Sequence, residues 1–199
     1  MKRKENLELI KKGLIIVDMV NGFIKEGALK DPHIAHIIPE IKRLALMYLK
    51  NEDVVIAFKD CHPIDSPEFE TYPPHCIKGT TETELVDELK EYEDQFTVFE
   101  KDTTDGFYAP GFREYIEKMK NLTELVITGC CTDICVMNLA LSLKKFFNEV
   151  RRDVEIIIPK NAVETFHIPG VHDRVKQNKM AFKVMRDAGI QVVKKLERK

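Results

Sequence analysis

The sequence predicts an α/β fold in which a doubly wound, mostly parallel six-stranded sheet carries helices on both faces. Short apolar runs of strand length alternate with longer segments whose apolar residues recur every three or four positions. Several of the strand runs are apolar throughout, as in parallel strands that helices cover on both faces. The predicted strands cover, in chain order, residues 13–18, 54–58, 96–101, 124–127, 154–158 and 190–193.

The first strand is followed by a loop and a long helix. Residues 13–18 form a continuous apolar run that closes on an acid, Asp18, and residues 19–31 contain the glycine breakers of a loop. Apolar residues at helical spacing then predict a helix over 34–50. Pro39 falls near its first turn, where proline is tolerated.

The second strand leads into the longest irregular segment of the chain. Four prolines between residues 63 and 79 exclude regular structure there. Loops of this length inside compact domains usually carry function. A short helix is predicted over 82–90, before the third strand, and a loop rich in Asp, Thr and Gly follows at 102–111.

The second half of the sequence continues the same alternation. Helices are predicted over 112–120, 136–150 and 170–188, and Gly189 is the stop signal of the last one. No internal repeat or low-complexity linker divides the sequence. We therefore expect a single domain spanning residues 1–199.

The composition restricts the classes of function. Charged residues make up 32% of the chain and nearly balance at −2, so no broad basic surface for nucleic acid is expected. No apolar run approaches the ~20 residues that span a bilayer, and no apolar h-region is present. We expect a soluble, cytoplasmic protein with no membrane partner, and the basic ends at 1–12 and 194–199 are interpreted as solvated. The sequence leaves open whether it forms a homo-oligomer.

Cysteine usage also limits the possible chemistry. The chain has five cysteines and no secretion signal, which argues against a disulfide framework. Their spacing matches neither a zinc ribbon nor a Cys-x-x-Cys redox centre, although a thiol redox role is one alternative.

Polar side chains follow the ends of four predicted strands. Ligands bind beyond the carboxyl ends of such strands, where the strand order reverses, so these side chains are expected to meet at one edge of the sheet. They are Asp18, Asp60, His62, Lys101, Cys131 and Cys135.

Three of these residues form a coherent set for covalent catalysis. Cys135 lies in a strand-to-helix turn, where a helix N-terminus or a nearby cation lowers a thiol pKa. Asp18 is suited to take the thiol proton, and Lys101 supplies the positive charge. The backbone N–H groups of Cys131 and Cys135 are the natural donors to an oxyanion. The alternative interpretation is a packed cysteine beside an ion pair that only closes the end of the sheet.

A second group of residues is typical of a metal site. Asp60 and His62 point the same way on an extended segment, and Glu68, Glu70 and His75 follow in the long loop. Imidazole with carboxylate suits Zn, Mn or Fe, whereas the alternative is an ordinary loop. The other histidines lack acidic partners at suggestive spacing and are interpreted as surface or helix residues: His33, His36, His167 and His172.

Several of these stretches resemble the motifs of the isochorismatase-like cysteine hydrolases, and most closely those of the metal-binding nicotinamidases within that superfamily. The similarity covers nearly the whole chain in the right order. It is carried by residues 16–23 (IVDMVNGF), 60–63 (DCHP), 72–80 (YPPHCIKGT), 99–101 (FEK) and 128–136 (TGCCTDICV).

The resemblance assigns roles to the residues at the sheet edge. It implies a catalytic triad of Asp18, Lys101 and Cys135. It also implies a cis peptide bond between Cys130 and Cys131 that aims the Cys131 N–H into the oxyanion hole.

The resemblance further implies one bound divalent metal ion, with zinc favoured over manganese or iron. Its ligands would be Asp60, His62 and His75, with Glu68 favoured over Glu70 for a further position. In this family the metal holds the pyridine nitrogen of nicotinamide.

The activity that the resemblance implies is hydrolysis of nicotinamide to nicotinate and ammonia, for NAD salvage. Phe23 and Tyr72 match the pocket aromatics that sandwich the ring, and Tyr72 stands where many members have Trp. The alternatives are an amidase acting on another small carboxamide and, in a different class, a non-catalytic binding module.

Overall fold

The computed structural model describes residues 7–197, so the basic ends expected at 1–12 and 194–199 lie partly outside the described residues. Its seven strands are β1 (Lys12–Val17), β2 (Val54–Asp60), β3 (Thr97–Lys101), β4 (Glu124–Cys130), β5 (Glu155–Pro159), β6 (Val163–Glu164) and β7 (Gln191–Val193). Its α-helices are α1 (Asn21–Ile24), α2 (Ile38–Lys50), α3 (Asp87–Lys90), α4 (Phe112–Lys118), α5 (Met137–Glu149) and α6 (Arg174–Asp187).

The strands form one parallel sheet in the order β3-β2-β1-β4-β5-β7. The order reverses beside β1, which pairs with β2 on one side and with β4 on the other. The predicted fold class is therefore confirmed, but the strand count is seven rather than six. The additional strand, β6, pairs with β4 and has only two residues, too few to give an apolar run.

Side chains of the sheet pack into two separate hydrophobic cores, one on each face. In β1, Ile15 and Val17 face one side and pack with apolar residues of α4, α5 and α6. Leu14 and Ile16 face the other side and pack with α1, α2 and α3. Because both faces are covered, β1 is buried on both sides, and its sequence is apolar at every position from 14 to 17.

Two predicted helices begin later than their apolar spacing indicated. The segment predicted as a helix over 34–50 starts with a 3₁₀ turn at Pro32–Ile37, and α2 follows with Pro39 in its first turn. The segment 82–90 begins in a 3₁₀ turn at Thr81–Thr83 and becomes α-helical only in α3, and between them Leu85 forms an antiparallel bridge with Val20.

The remaining helices differ from prediction mainly at their ends. Helix α6 begins at Arg174 rather than 170, since the Asp173 carboxylate accepts hydrogen bonds from the Val175 and Lys176 N–H groups and caps it. A π-helical turn at Thr132–Val136 precedes α5. Among residues 7–197, no helix is long and apolar enough to cross a membrane.

Candidate active site

A pocket of about 380 Å³ opens beyond the carboxyl ends of the central strands. Most of the site residues predicted from the sequence lie on its wall: Phe23, Asp60, Glu68, Tyr72, His75, Cys131 and Cys135. The side chains of Asp18, His62 and Lys101 are fully buried behind that wall. The strand ends thus bring together residues from four separate parts of the sequence.

Lys101 lies at the centre of this buried group. Its ammonium nitrogen Nζ is 2.9 Å from Asp18 Oδ2, 2.5 Å from Asp60 Oδ1 and 3.8 Å from Cys135 Sγ. Burial disfavours the charged form, but the two carboxylates outweigh burial and raise the pKa of Lys101 well above its usual value. Lys101 therefore stays cationic.

Asp18 combines an uncommon backbone conformation with a raised pKa. Its φ of 51° lies in the left-handed region, which non-glycine residues seldom adopt except at functional sites. Burial raises the pKa of Asp18 to about 6, although Lys101 lowers it and Asp60 adds a further increase. A carboxylate with that pKa is well suited to accept and return a proton near neutral pH.

Cys135 is held as a thiol rather than a thiolate. It lies in the π-helical turn before α5 and is 7% exposed. Burial raises the pKa of Cys135 well above its usual value, and the lowering effect of Lys101 is offset by Asp18 and Asp60. The expectation that the helix start and the cation would favour the thiolate is therefore wrong for the resting site, because burial outweighs the effect of Lys101 and two carboxylates oppose it.

The chain turns tightly between β4 and Cys135. Gly129 has a φ of +106°, and a Cβ there would lie 2.0 Å from the carbonyl oxygen of Val17, so only glycine fits this contact with β1. The next peptide bond, between Cys130 and Cys131, is cis, as the resemblance implied. The Cys131 carbonyl accepts hydrogen bonds from the Ile134 and Val136 N–H groups, both at 3.1 Å.

Asp60, His62 and His75 form a buried cluster whose ligand-type atoms lie within 4.8 Å of one another. Oδ2 of Asp60 is 2.9 Å from His62 Nε2 and 3.1 Å from His75 Nε2. Burial would raise the pKa of Asp60, but Lys101 and the two histidines outweigh it and hold that pKa well below the usual carboxyl range. Asp60 is therefore an anion facing two imidazoles.

The tautomer of His75 fits a metal ion at this cluster. Its Nδ1 is 2.9 Å from the Pro73 carbonyl, which can only accept, so Nδ1 carries a proton. A neutral His75 then presents an unprotonated Nε2 to Asp60, which is the arrangement of a metal ligand with an outer hydrogen bond. Burial lowers the pKa of His75, but the contacts with Asp60 and Pro73 raise it overall, so the surroundings favour positive charge at this point. The donor set suits a divalent cation.

Of the two glutamates considered from the sequence, Glu68 is the one beside this cluster. Its Oε1 lies 4.0 Å from His62 Nε2, and its side chain is 15% exposed on the pocket wall. Burial and the nearby Asp60 raise the pKa of Glu68. Glu70 lies on the exposed side of the same short 3₁₀ turn, Pro67–Glu70.

Aromatic rings surround the metal-capable cluster. The ring centroids of Phe23 and Tyr72 are 5.7 Å and 6.3 Å from that of His75, and both rings line the pocket. Phe69, which the sequence did not single out, packs against the His62 ring at 5.4 Å and the His75 ring at 5.7 Å. It lies in the short 3₁₀ turn Pro67–Glu70 of the long loop, where no spacing in the sequence indicates which side chains turn inward.

One wall of the pocket was not predicted at all. Asp31, His167 and Arg174 line it, with Arg174 Nη2 2.6 Å from Asp31 Oδ2 and the His167 N–H donating to the same oxygen at 3.0 Å. Asp31 is more than 130 positions from the other two residues in the sequence, so no local pattern joins it to them.

The four remaining histidines lack acidic partners at suggestive spacing in the sequence, but three of them face an acidic side chain in the fold. His172 Nε2 lies 2.8 Å from Asp133 Oδ2. His33 and His36 lie beside Glu164, at 3.6 Å and 3.7 Å from its Oε2. Each partner comes from a distant element, so spacing along the chain could not reveal it.

Comparisons with known proteins agree with this arrangement. The sequence matches the isochorismatase domain family over residues 12–195. It is 36% identical over 173 residues to nicotinamidase 1 of Arabidopsis thaliana, covering 79% of this chain and 70% of that protein. The structure of nicotinamidase PncA from Bacillus subtilis is similar at a TM-score of 0.77 and 30% identity, covering 92% of this chain and 100% of the other. That of N-carbamoylsarcosine amidase from Thermoplasma acidophilum is similar at 0.77 and 26% identity, covering 96% and 99%.

Proposed function

The chain belongs to the isochorismatase domain family and is an amidohydrolase, and from that premise we propose that it hydrolyses nicotinamide to nicotinate and ammonia, for NAD salvage in the cytoplasm. The observation that carries this proposal is that one pocket holds a buried thiol, a metal-capable cluster and two aromatic rings. Cys135, His75, Phe23 and Tyr72 all line it. A flat carboxamide with a ring nitrogen matches these three features together.

In the proposed reaction Cys135 attacks the amide carbon as Asp18 accepts the thiol proton. The thiol pKa is raised and that of Asp18 is about 6, so proton transfer accompanies attack rather than preceding it. The backbone N–H groups of Cys131 and Cys135 are proposed to donate to the oxyanion. Lys101 holds the Asp18 carboxylate in place at 2.9 Å.

The intermediate then collapses with loss of ammonia. Asp18 returns the proton to the leaving nitrogen, the C–N bond breaks, and a thioester of Cys135 remains. A water molecule, deprotonated by Asp18, adds to the thioester carbon. The C–S bond breaks, nicotinate leaves, and the proton returns to the Cys135 sulfur.

Asp60, His62 and His75 are the residues that would hold the divalent ion, with Glu68 as the proposed further ligand. Zinc is the proposed metal because imidazole and carboxylate donors suit it. When bound, the ion supplies a coordination position for the ring nitrogen of the substrate. Phe23 and Tyr72 are proposed to stack on the ring, where offset stacking contributes about 0.5–1.5 kcal/mol per pair beyond burial.

A second candidate is an amidase of the same family acting on another small amide. The structural similarity to an N-carbamoylsarcosine amidase supports this reading. The two candidates share the thiol chemistry and differ in what fills the pocket.

Ammonia release from a panel of amides tests the proposal. The zinc-loaded protein would be given nicotinamide, pyrazinamide, benzamide and an N-carbamoyl amino acid at equal concentrations. Nicotinamide should have the highest kcat/KM, or share it with pyrazinamide. A higher value for the N-carbamoyl compound would favour the second candidate, and no release from any amide would contradict both.

A further inference from the structure

A second group of metal-ligand side chains lies outside the active-site cluster. His33 and His36 come from the 3₁₀ turn Pro32–Ile37, and Glu164 comes from β6. Their ligand-type atoms lie within 4.8 Å of one another. None of the roles proposed above uses these three residues.

Glu164 is held with one oxygen aimed at the histidines. The residue is 8% exposed, and its Oε1 accepts hydrogen bonds from Asn178 Nδ2 at 2.6 Å and from the Thr165 N–H at 2.8 Å. Its Oε2 lies 3.6 Å from His33 Nε2 and 3.7 Å from His36 Nε2. Outer hydrogen bonds of this kind orient carboxylates that ligate metals.

The His36 tautomer is fixed in the form that ligates a metal. Nδ1 lies 2.7 Å from the His33 carbonyl oxygen, which can only accept, so Nδ1 carries the proton. In its neutral form the ring therefore presents an unprotonated Nε2 to the Glu164 carboxylate. Two lone pairs face each other there, an arrangement that a cation between them stabilises.

The separations fit a metal ion better than hydrogen bonds. An N–H···O bond brings nitrogen and oxygen to about 2.9 Å. Tetrahedral zinc, with bonds of about 2.1 Å, separates neighbouring donor atoms by about 3.4 Å. The observed 3.6 Å and 3.7 Å exceed a hydrogen bond and lie within a few tenths of an ångström of the zinc value.

We propose that His33, His36 and Glu164 form a second site for a divalent transition-metal ion of the zinc class. Two imidazoles and one carboxylate would leave a fourth position for water. The two histidine side chains are 51% and 52% exposed, so this ion exchanges with solvent more readily than one bound at the buried cluster. The proposal is independent of the hydrolytic activity proposed above.

The site joins two segments that line the active-site pocket. Pro32 precedes His33 and lines the pocket, and Phe166 follows Glu164 by two residues and also lines it. An ion held by these three ligands therefore joins two chain segments that lie side by side at the pocket. Bound metal should therefore hold the turn Pro32–Ile37 against β6 at the edge of the pocket.

Metal stoichiometry tests the proposal without measuring turnover. Protein stripped with a chelator would be titrated with zinc sulfate by calorimetry, and the bound metal counted by elemental analysis. The wild-type chain should bind two ions. Glu164→Gln, which keeps the Oε1 acceptor but replaces Oε2 with a group that cannot ligate, should bind the second ion at least about tenfold more weakly. His167→Ala, which removes an exposed histidine outside the cluster, should keep both.

One further variant identifies which ion is lost. His62→Ala should lose the ion at the buried cluster and keep the one that depends on Glu164. Should Glu164→Gln fail to fold, His33→Ala and His36→Ala replace it, since both side chains are half exposed, and each should lose one ion. Wild-type affinity for both ions in Glu164→Gln, or one ion only in the wild type, would overturn the proposal. Either result leaves the proposed amidase activity untouched.

Discussion

The carboxylate of Asp60 lies 2.5 Å from the ammonium group of Lys101 and forms the link between two parts of the site. Its Oδ1 contacts the lysine, while its Oδ2 faces His62 and His75. Lys101 in turn contacts Asp18, the proposed base. The charge at the metal-capable cluster is therefore coupled to the groups that are proposed to carry out the chemistry.

Because of this link, we expect substitutions of Asp60 and of His75 to have different effects on the hydrolysis of benzamide. Benzamide resembles nicotinamide but lacks the ring nitrogen. Asp60→Asn removes a metal ligand and also one of the two carboxylates that hold Lys101. His75→Ala removes a metal ligand and its aromatic contacts but leaves both carboxylates beside Lys101. We expect both variants to lose metal, but only Asp60→Asn to lower kcat/KM for benzamide, by tenfold or more. Equal benzamide rates in the two variants would show that Asp60 acts through the metal alone.

Cys135 and Cys61 form a matched pair for testing the nucleophile, since each is 7% exposed. Cys135→Ala should lower kcat at least about 10⁴-fold, because no other group replaces the thiol. Cys61→Ala should keep activity within a few-fold. Steady-state kinetics would be paired with circular dichroism and metal analysis. A Cys135→Ala protein that is folded, metal-loaded and still active would rule out the covalent mechanism.

The pKa of Asp18 predicts how activity depends on pH. Asp18 must be unprotonated to accept the thiol proton, and its pKa is raised to about 6. As the pH falls below 6 the carboxylate becomes protonated, so kcat/KM should fall, approaching tenfold per pH unit. Lys101 keeps its charge throughout this range because its pKa is well above the usual value. A flat profile between pH 7 and pH 5 would show that Asp18 is not the base.

Sequence reasoning located the sheet and its ends because both depend on local patterns. The apolar run before Asp18 and the one before Gly129 identify strands β1 and β4, and the topology of parallel strands brings their ends together. Strand β6, with two residues, was missed because it is too short to show a pattern.

The parts of the site that sequence reasoning missed are those formed between distant elements. Arg174 and Asp31 pair across 143 positions, and Glu164 of β6 lies beside His33 of the turn Pro32–Ile37. The thiol state of Cys135 was also missed, because its pKa is raised by burial and by the nearby Asp18 and Asp60 carboxylates, which local sequence does not reveal. Local spacing carries no information about such three-dimensional charge balance.

Glu68 and Glu70 lie two positions apart in the sequence, so substitutions of the two allow a matched comparison of their effects on metal binding. Glu68 lies beside His62 on the pocket wall, whereas Glu70 is exposed. Glu68→Gln should weaken zinc binding at the buried cluster about 10–100-fold, and Glu70→Gln should leave it unchanged. Competition with a chromophoric chelator measures both. The reverse ranking would make Glu70 the further ligand.

The ring nitrogen of the substrate provides the sharpest test of the metal's role. Nicotinamide and pyrazinamide can place a nitrogen at the bound ion, and benzamide cannot, although all three have the same flat shape. Holding the ring by that nitrogen would orient the amide carbon at Cys135, and orientation of this kind contributes several kcal/mol to catalysis. We therefore expect kcat/KM for benzamide to be at least about 100-fold below that for nicotinamide in zinc-loaded protein. After chelation the two kcat/KM values should converge. The value for nicotinamide should fall because the metal no longer holds its ring nitrogen, whereas the value for benzamide should not change. Equal rates before chelation would show that the metal does not hold the ring.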